Sequence, residues 1–185
     1  CHLRGMKRGS FRKGGAVALV GRVLGGAGGI RRRISAGNIR ATAGLGAARP
    51  MVIMDPGHGG VDGGAVGVDG AAEKDINLQI AEKLRCMLEL GGFEVIMTRE
   101  SDISIHDASA KSVKAQKTSD LHNRLAIVES HPGAVFVSIH QNKFSVGKYW
   151  GTQVFYGKED AQSMELASLI QKSVVAALQP DNTRE

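Results

Sequence analysis

From Met51 onward, short apolar runs alternate with longer stretches of helical period, and this alternation restricts the possible folds more than any other feature of the chain. "MVIMD" (51–55), "EVIMTR" (94–99), "AVFVSIH" (134–140) and "TQVFYG" (152–157) are predicted strands, rich in the branched and aromatic side chains that suit a pleated surface. Between them lie helical stripes. Ile76, Ile80, Leu84, Met87 and Leu88 form one, with Asp75 as the expected N-cap and Gly91-Gly92 as the stop. Met164, Ala167, Ile170, Val174 and Leu178 form another, ended by Pro180, while Leu121, Leu125 and Val128 make a weaker one ahead of "HPG". Residues 101–120 are polar and aperiodic, which predicts a long surface loop. The order of elements predicts an α/β fold with a mostly parallel, mixed sheet flanked by helices, and with its functional crevice at the carboxyl ends of the strands.

Charge divides the chain at the same point. Residues 1–50 hold eleven Arg and Lys, no Asp or Glu, and twelve of the 25 glycines. Taking those from totals of 24 basic and 18 acidic residues leaves 13 and 18 in 51–185, a net charge of −5 for the part with core-forming periodicity. The overall +6 therefore reflects the leader. Few large apolar side chains occur there, so residues 1–50 are expected to be disordered or non-native, and 51–185 to be one domain. Opening on Cys rather than Met, the leader reads as a fragment or a misplaced upstream frame. Its apolar patch "AVALVGRVL" is short and broken by Arg22, which argues against an export signal and excludes a membrane span of about 20 apolar residues. With Phe11 as its one aromatic and no regular RGG spacing, the leader is not expected to bind a specific nucleic acid. Cys1 and Cys86 form no CxxC pattern, and Cys86 reads as a small residue on a helix face.

Chemistry concentrates at strand ends. His58 follows the first strand in the Gly-rich turn "DPGHGGVDGG", which also carries Asp55 and Asp62, and His140 ends the third strand in "SIHQN". Parallel strands would aim both histidines into one crevice, which Glu73 could reach from the start of the first long helix. Two histidines and a carboxylate are the ligand set of a catalytic zinc site, which keeps a position for water. Singly, each residue has a plainer reading, as a loop histidine or as a glutamate placed for the helix dipole. "GHGGVDGG" fits neither common phosphate-binding glycine pattern. Ser138 lacks a G-x-S-x-G context and reads as a strand side chain rather than a nucleophile. His2, His106, His122 and His131 receive no role. Trp150 with Tyr149 could line a sugar-binding wall or shield a strand start.

Together "DPGHGGVDGGAVG", "EKDINL", "VIMTR", "LHNRLAIVES" and "AVFVSIHQNKF" resemble, in order and spacing, the zinc-dependent N-acetylmuramoyl-L-alanine amidases of the type-3 fold. The match runs from about Val52 to Arg184. "GTQVFYG" and "QPDNTRE" look most like the sporulation and germination branch that trims spore cortex. The resemblance implies a three-layer fold, Zn2+ held by His58, Glu73 and His140, and a peptidoglycan substrate cut between N-acetylmuramic acid and L-alanine. That substrate implies action outside the cytoplasmic membrane, in the wall or spore cortex. The family also implies a second glutamate, the general base, in a motif similar to VECGFLSN. No such motif occurs in 51–185, and neither Glu159, Glu165 nor Glu185 has a matching context. The catalytic glutamate, with the final strand and helix, is thus expected beyond residue 185, and this chain is expected to be impaired. A catalytically inactive, zinc-containing peptidoglycan-binding module is the alternative expectation.

Overall fold

The computed structural model describes residues 49–142, 150–157 and 160–184, together with the backbone of 15–22. Its elements are β1 (Gly15–Arg22), β2 (Met51–Pro56), α1 (Glu73–Leu90), β3 (Glu94–Met97), α2 (Val113–Glu129), β4 (Val135–Asn142), β5 (Gln153–Tyr156) and α3 (Ala161–Leu178). They build an α/β fold on a five-stranded sheet of order β3-β2-β4-β1-β5. β2 lies parallel to both β3 and β4, with Val52 opposite Val95 and Val135, and its residues from Val52 to Pro56 are buried whichever face they point to. This explains the unbroken apolar run "MVIM", since a central parallel strand needs no polar face.

Alternation along β2 then assigns the layers. Val52 and Met54 pack with Ala81 and Ile139, with Leu84 and Leu88 of α1 closing over them. Asp55 points to the opposite face, where α2 supplies Arg124, so α1 and α2 sandwich this half of the sheet. A smaller apolar cluster, Val154 with Ala167, Leu166 and Ile170, joins α3 to β5.

Several expectations need correction. No strand was expected before Met51, yet Gly15–Arg22 pairs antiparallel with β4 and parallel with β5. Ladder pairing is a property of the backbone, and an apolar patch with small side chains can occupy a slot between two open strand edges. The compositional break at Met51 is therefore not a break in the sheet. The expected disorder of residues 1–50, with Cys1 and His2, otherwise lies outside the described residues, as do Tyr149, Glu159 and Glu185.

Helix α1 starts at Glu73 after Ala72, two residues before the expected cap at Asp75. Its buried face is Glu73, Asn77 and Ala81, while Met87, expected in the core, is exposed. Helix α2 takes up the last part of the expected loop, because the Ser112 hydroxyl accepts from Ala115 N and caps it. Leu121 and Leu125, expected inside, are 65% and 51% exposed, and Arg124 is the buried residue of that helix. Among the described residues no helix is long and apolar enough to cross a membrane.

Candidate metal centre

The turn after β2 carries His58 to the carboxyl end of the sheet, beside the end of β4. His58 is the one non-glycine among the described residues with positive φ, at 64°, a conformation that costs on the order of 1 kcal/mol or more unless its surroundings enforce it. Here they do. Arg124 Nη2 donates to His58 O at 2.8 Å, Arg99 Nη2 to Gly57 O at 3.1 Å, and Asn77 Nδ2 to Gly57 O at 3.2 Å. Arg99 Nε and Arg124 Nη1 both donate to Pro56 O as well. Buried guanidinium groups and one buried amide thus take up the carbonyls that a sharp turn leaves without helix or sheet partners.

Glu73, the first residue of α1, reaches into the same space. Its Oε1 lies 3.2 Å from His58 Nε2 and 3.0 Å from His140 Nδ1, and the two imidazoles meet edge to face with centroids 4.9 Å apart. The three ligand atoms lie within 4.8 Å of one another. Four-coordinate zinc with N and O ligands at about 2.0–2.2 Å separates neighbouring donors by roughly 3.3 Å, close to the two His–Glu spacings. One carboxylate oxygen facing two imidazole nitrogens is the donor arrangement that a divalent cation suits, and the residues fit such an ion. The expected ligands are therefore brought together by β2, α1 and β4.

The carboxylate is held firmly. Gln141 N donates to Oε1 and Ala65 N to Oε2, each at 2.8 Å, and Asn77 Nδ2 lies 3.4 Å from Oε1. Burial pushes the Glu73 carboxyl up, but hydrogen bonds from His140, His58 and these backbone amides outweigh it and hold it well below the usual carboxylate range. Hydrogen bonding to Glu73 raises the His58 imidazole; burial opposes this and Asp62 adds to it.

Sequence reasoning missed Asn77 and Gln141. Gln141 Nε2 donates to Asn77 Oδ1 at 3.1 Å, linking the two behind Glu73. An asparagine four residues after a glutamate, amid the apolar positions of a helix, was the available signal. The other histidines do not join the site: His106 Nδ1 lies 2.9 Å from Ser104 Oγ, His131 Nδ1 lies 2.8 Å from Ile127 O at the end of α2, and His122 is exposed on α2. Ser138 donates to Asp55 Oδ2 at 2.6 Å and is buried, as its reading as a strand side chain requires. Trp150 is half-buried, and Cys86 is a half-buried free thiol.

Two glycines make room for the donors. A Cβ on Gly57 would overlap the His140 ring, and one on Gly64, whose φ is +68°, would lie 2.6 Å from Glu73 Oε2 and 2.7 Å from His58 Cδ2. Gly57→Ala is expected to turn the partly exposed His140 ring out of the site. Zinc affinity should fall by at least about tenfold while the thermal midpoint moves little. Competition with a chromophoric chelator, run beside a melting curve, checks both.

Comparison with known proteins places this geometry in context. Residues 52–185 match the Amidase_3 family profile, described as N-acetylmuramoyl-L-alanine amidase. The germination-specific N-acetylmuramoyl-L-alanine amidase of Bacillus subtilis (strain 168) is 38% identical over 121 residues, which cover 65% of this chain and 51% of that protein. N-acetylmuramoyl-L-alanine amidase AmiC of Escherichia coli O6:H1 is 42% identical over 109 residues, covering 58% of this chain and 23% of that protein. The chain thus spans about half the length of the first of these relatives and less of the second. Among solved structures, the CwlD amidase from Clostridioides difficile, in complex with the GerS lipoprotein, superposes with a TM-score of 0.70 at 40% identity, covering 74% of this chain and 71% of that one. With its profile match extending over most of its length, the chain belongs to the Amidase_3 family of N-acetylmuramoyl-L-alanine amidases.

Proposed function

We propose that this chain carries the metal-binding part of a zinc-dependent hydrolase that cuts the amide between N-acetylmuramic acid and L-alanine in peptidoglycan. The observation that carries this reading is the convergence of His58, Glu73 and His140 at the strand ends of an Amidase_3 domain. Zinc bound there would supply Lewis acidity toward both a water molecule and the scissile carbonyl. The chain's own contribution is to hold three donors in place before the ion arrives. Glu73 stays anionic because three N–H groups, from Gln141, Ala65 and Asn77, and two imidazoles face it, and His58 is fixed by the carbonyl contacts of its turn. His140 is set by the β4 register, with Val137 opposite Met54 and Ile139 opposite Pro56. The substrate lies outside the cytoplasmic membrane, which would put the protein in the cell wall or spore cortex. No residue of 51–185 stands in the motif of the family's second glutamate, so this reading assigns no general base within the chain.

The zinc-loaded protein, incubated with a muramyl-L-alanyl peptide and followed by mass spectrometry, tests this. Release of a peptide with a new L-alanine amino terminus is expected only with zinc present. The rate should be about 10² to 10⁴ below that of an amidase with its acid–base residue. Cleavage at another bond, or equal release after chelation, would overturn the reading. Bound zinc and co-sedimentation with peptidoglycan without any release would instead favour the inactive binding module.

A further inference from the structure

The donor cluster does not explain which nitrogen of His58 carries a proton. That imidazole has a carboxylate on each side: Asp62 Oδ2 lies 3.0 Å from Nδ1, and Glu73 Oε1 lies 3.2 Å from Nε2. With Glu73 alone, a neutral His58 would gain by placing its proton on Nε2, toward that carboxylate. The lone pair would then point away from the donor cluster. A metal needs the opposite tautomer, with Nε2 bare and Nδ1 protonated.

We propose that Asp62 is a positioning residue that selects this tautomer by accepting the Nδ1 proton, and that Lys117 of α2 holds Asp62 to the task. Lys117 Nζ lies 3.0 Å from Asp62 Oδ1, so the two oxygens of Asp62 serve different partners. The Gly64 backbone N–H lies at the outer limit of hydrogen bonding to Oδ1, at 3.5 Å. The pair Gly59 and Asp62, bridged by backbone hydrogen bonds of 3.0 and 3.2 Å, closes the turn and sets the Asp62 side chain beside the ring. The chain Lys117, Asp62, His58 therefore runs from the surface of α2 to the donor cluster. Carboxylate partners of this kind orient metal-bound histidines and raise their basicity, and their loss commonly costs 10- to 100-fold in metal affinity. This inference rests on the metal-site reading above, and its test separates the two.

The test uses the 185-residue chain labelled with 15N at histidine, as wild type, Asp62→Ala, Asp62→Asn and Lys117→Ala. Zinc affinity is measured by chelator competition, and the imidazole nitrogens are observed by NMR in the metal-free protein. In metal-free wild type a protected, downfield-shifted Nδ1–H on His58 is expected, and Asp62→Ala should remove it. Zinc affinity should fall about 10- to 100-fold in Asp62→Ala, less in Asp62→Asn, which keeps an acceptor oxygen, and least in Lys117→Ala. A neutral His58 in metal-free wild type, observed at a pH where the ring carries a single proton, with that proton on Nε2 and Nδ1 bare would overturn the proposal, as would zinc affinity unchanged within about twofold in Asp62→Ala. Should wild type bind no zinc, the metal-site reading fails, and the Nδ1–H signal still decides the role of Asp62.

Discussion

His58→Ala and His140→Ala are each expected to lose bound zinc, with affinity falling by more than about 100-fold, beyond the usual cost of losing an outer partner. The size follows from geometry. Each imidazole is one of only three clustered protein donors, the third being a Glu73 oxygen, and none of the other described histidines is placed to replace it. His106→Ala and His122→Ala should retain a full equivalent of zinc. Elemental analysis of the four purified variants checks this, and equal zinc content in all of them would remove the basis of the site. Both ligand variants should also keep their fold. His58 and His140 lie at strand ends and are partly exposed, so truncating them removes little buried apolar area.

Arg124→Leu is expected to have the largest effect on stability. The Arg124 side chain, 7% exposed, contacts Asp55 Oδ1 at 2.5 Å and Asp120 Oδ2 at 2.6 Å, and also donates to the carbonyls of Pro56 and His58. Thr98 and Ser138 donate to Asp55 too, but neither brings a positive charge. Leucine would leave a buried carboxylate without its charge partner, a change that typically costs about 3–5 kcal/mol. In a domain of this size that lowers the thermal midpoint by roughly 10 °C or more. The released His58 carbonyl should loosen the ligand turn, so zinc affinity should fall along with stability.

The same ion pairs predict a pH dependence. Burial pushes the Asp120 carboxyl up, but Arg124, the Ser104 hydroxyl and the Ile105 N–H outweigh it and hold it below the usual carboxylate range. A carboxyl whose folded-state pKa is depressed contributes stability above its unfolded value of about 3.9, and that stability is lost as pH falls through the lower folded value. The stability gap between wild type and Arg124→Leu should therefore be widest near neutrality and shrink below about pH 4. Urea melts at several pH values would show this, and a gap constant down to pH 3 would deny Asp120 its part.

Most of the α/β core was legible because its signals are local. "MVIMD" reads as a buried strand from five residues, and the carboxyl ends of two such strands already put His58 and His140 on one rim. The misreadings share a cause. The apolar stripe of α1 is its signal in the sequence, whereas its best-buried positions include Glu73 and Asn77, which serve the site rather than the core. The leucines that mark α2 in the sequence are exposed, while its inward residue is an arginine whose partner, Asp55, lies 69 positions away in the chain. Periodicity of apolar residues cannot report a contact made between charges. β1 was missed for a related reason, since its place depends on strand edges formed more than a hundred residues later.

A helix fastened mainly by charge behaves differently from one fastened by oil. Its attachment to the sheet should weaken more in guanidinium chloride, which is itself a salt and competes for carboxylates, than in urea of matched strength. Because α2 also presents Lys117 to Asp62, peeling it away would disturb the protonation pattern of His58 before the strands separate. The metal centre would then fail at lower denaturant than the sheet that carries it, and sensitivity to ionic strength would be a property of the site rather than of the fold.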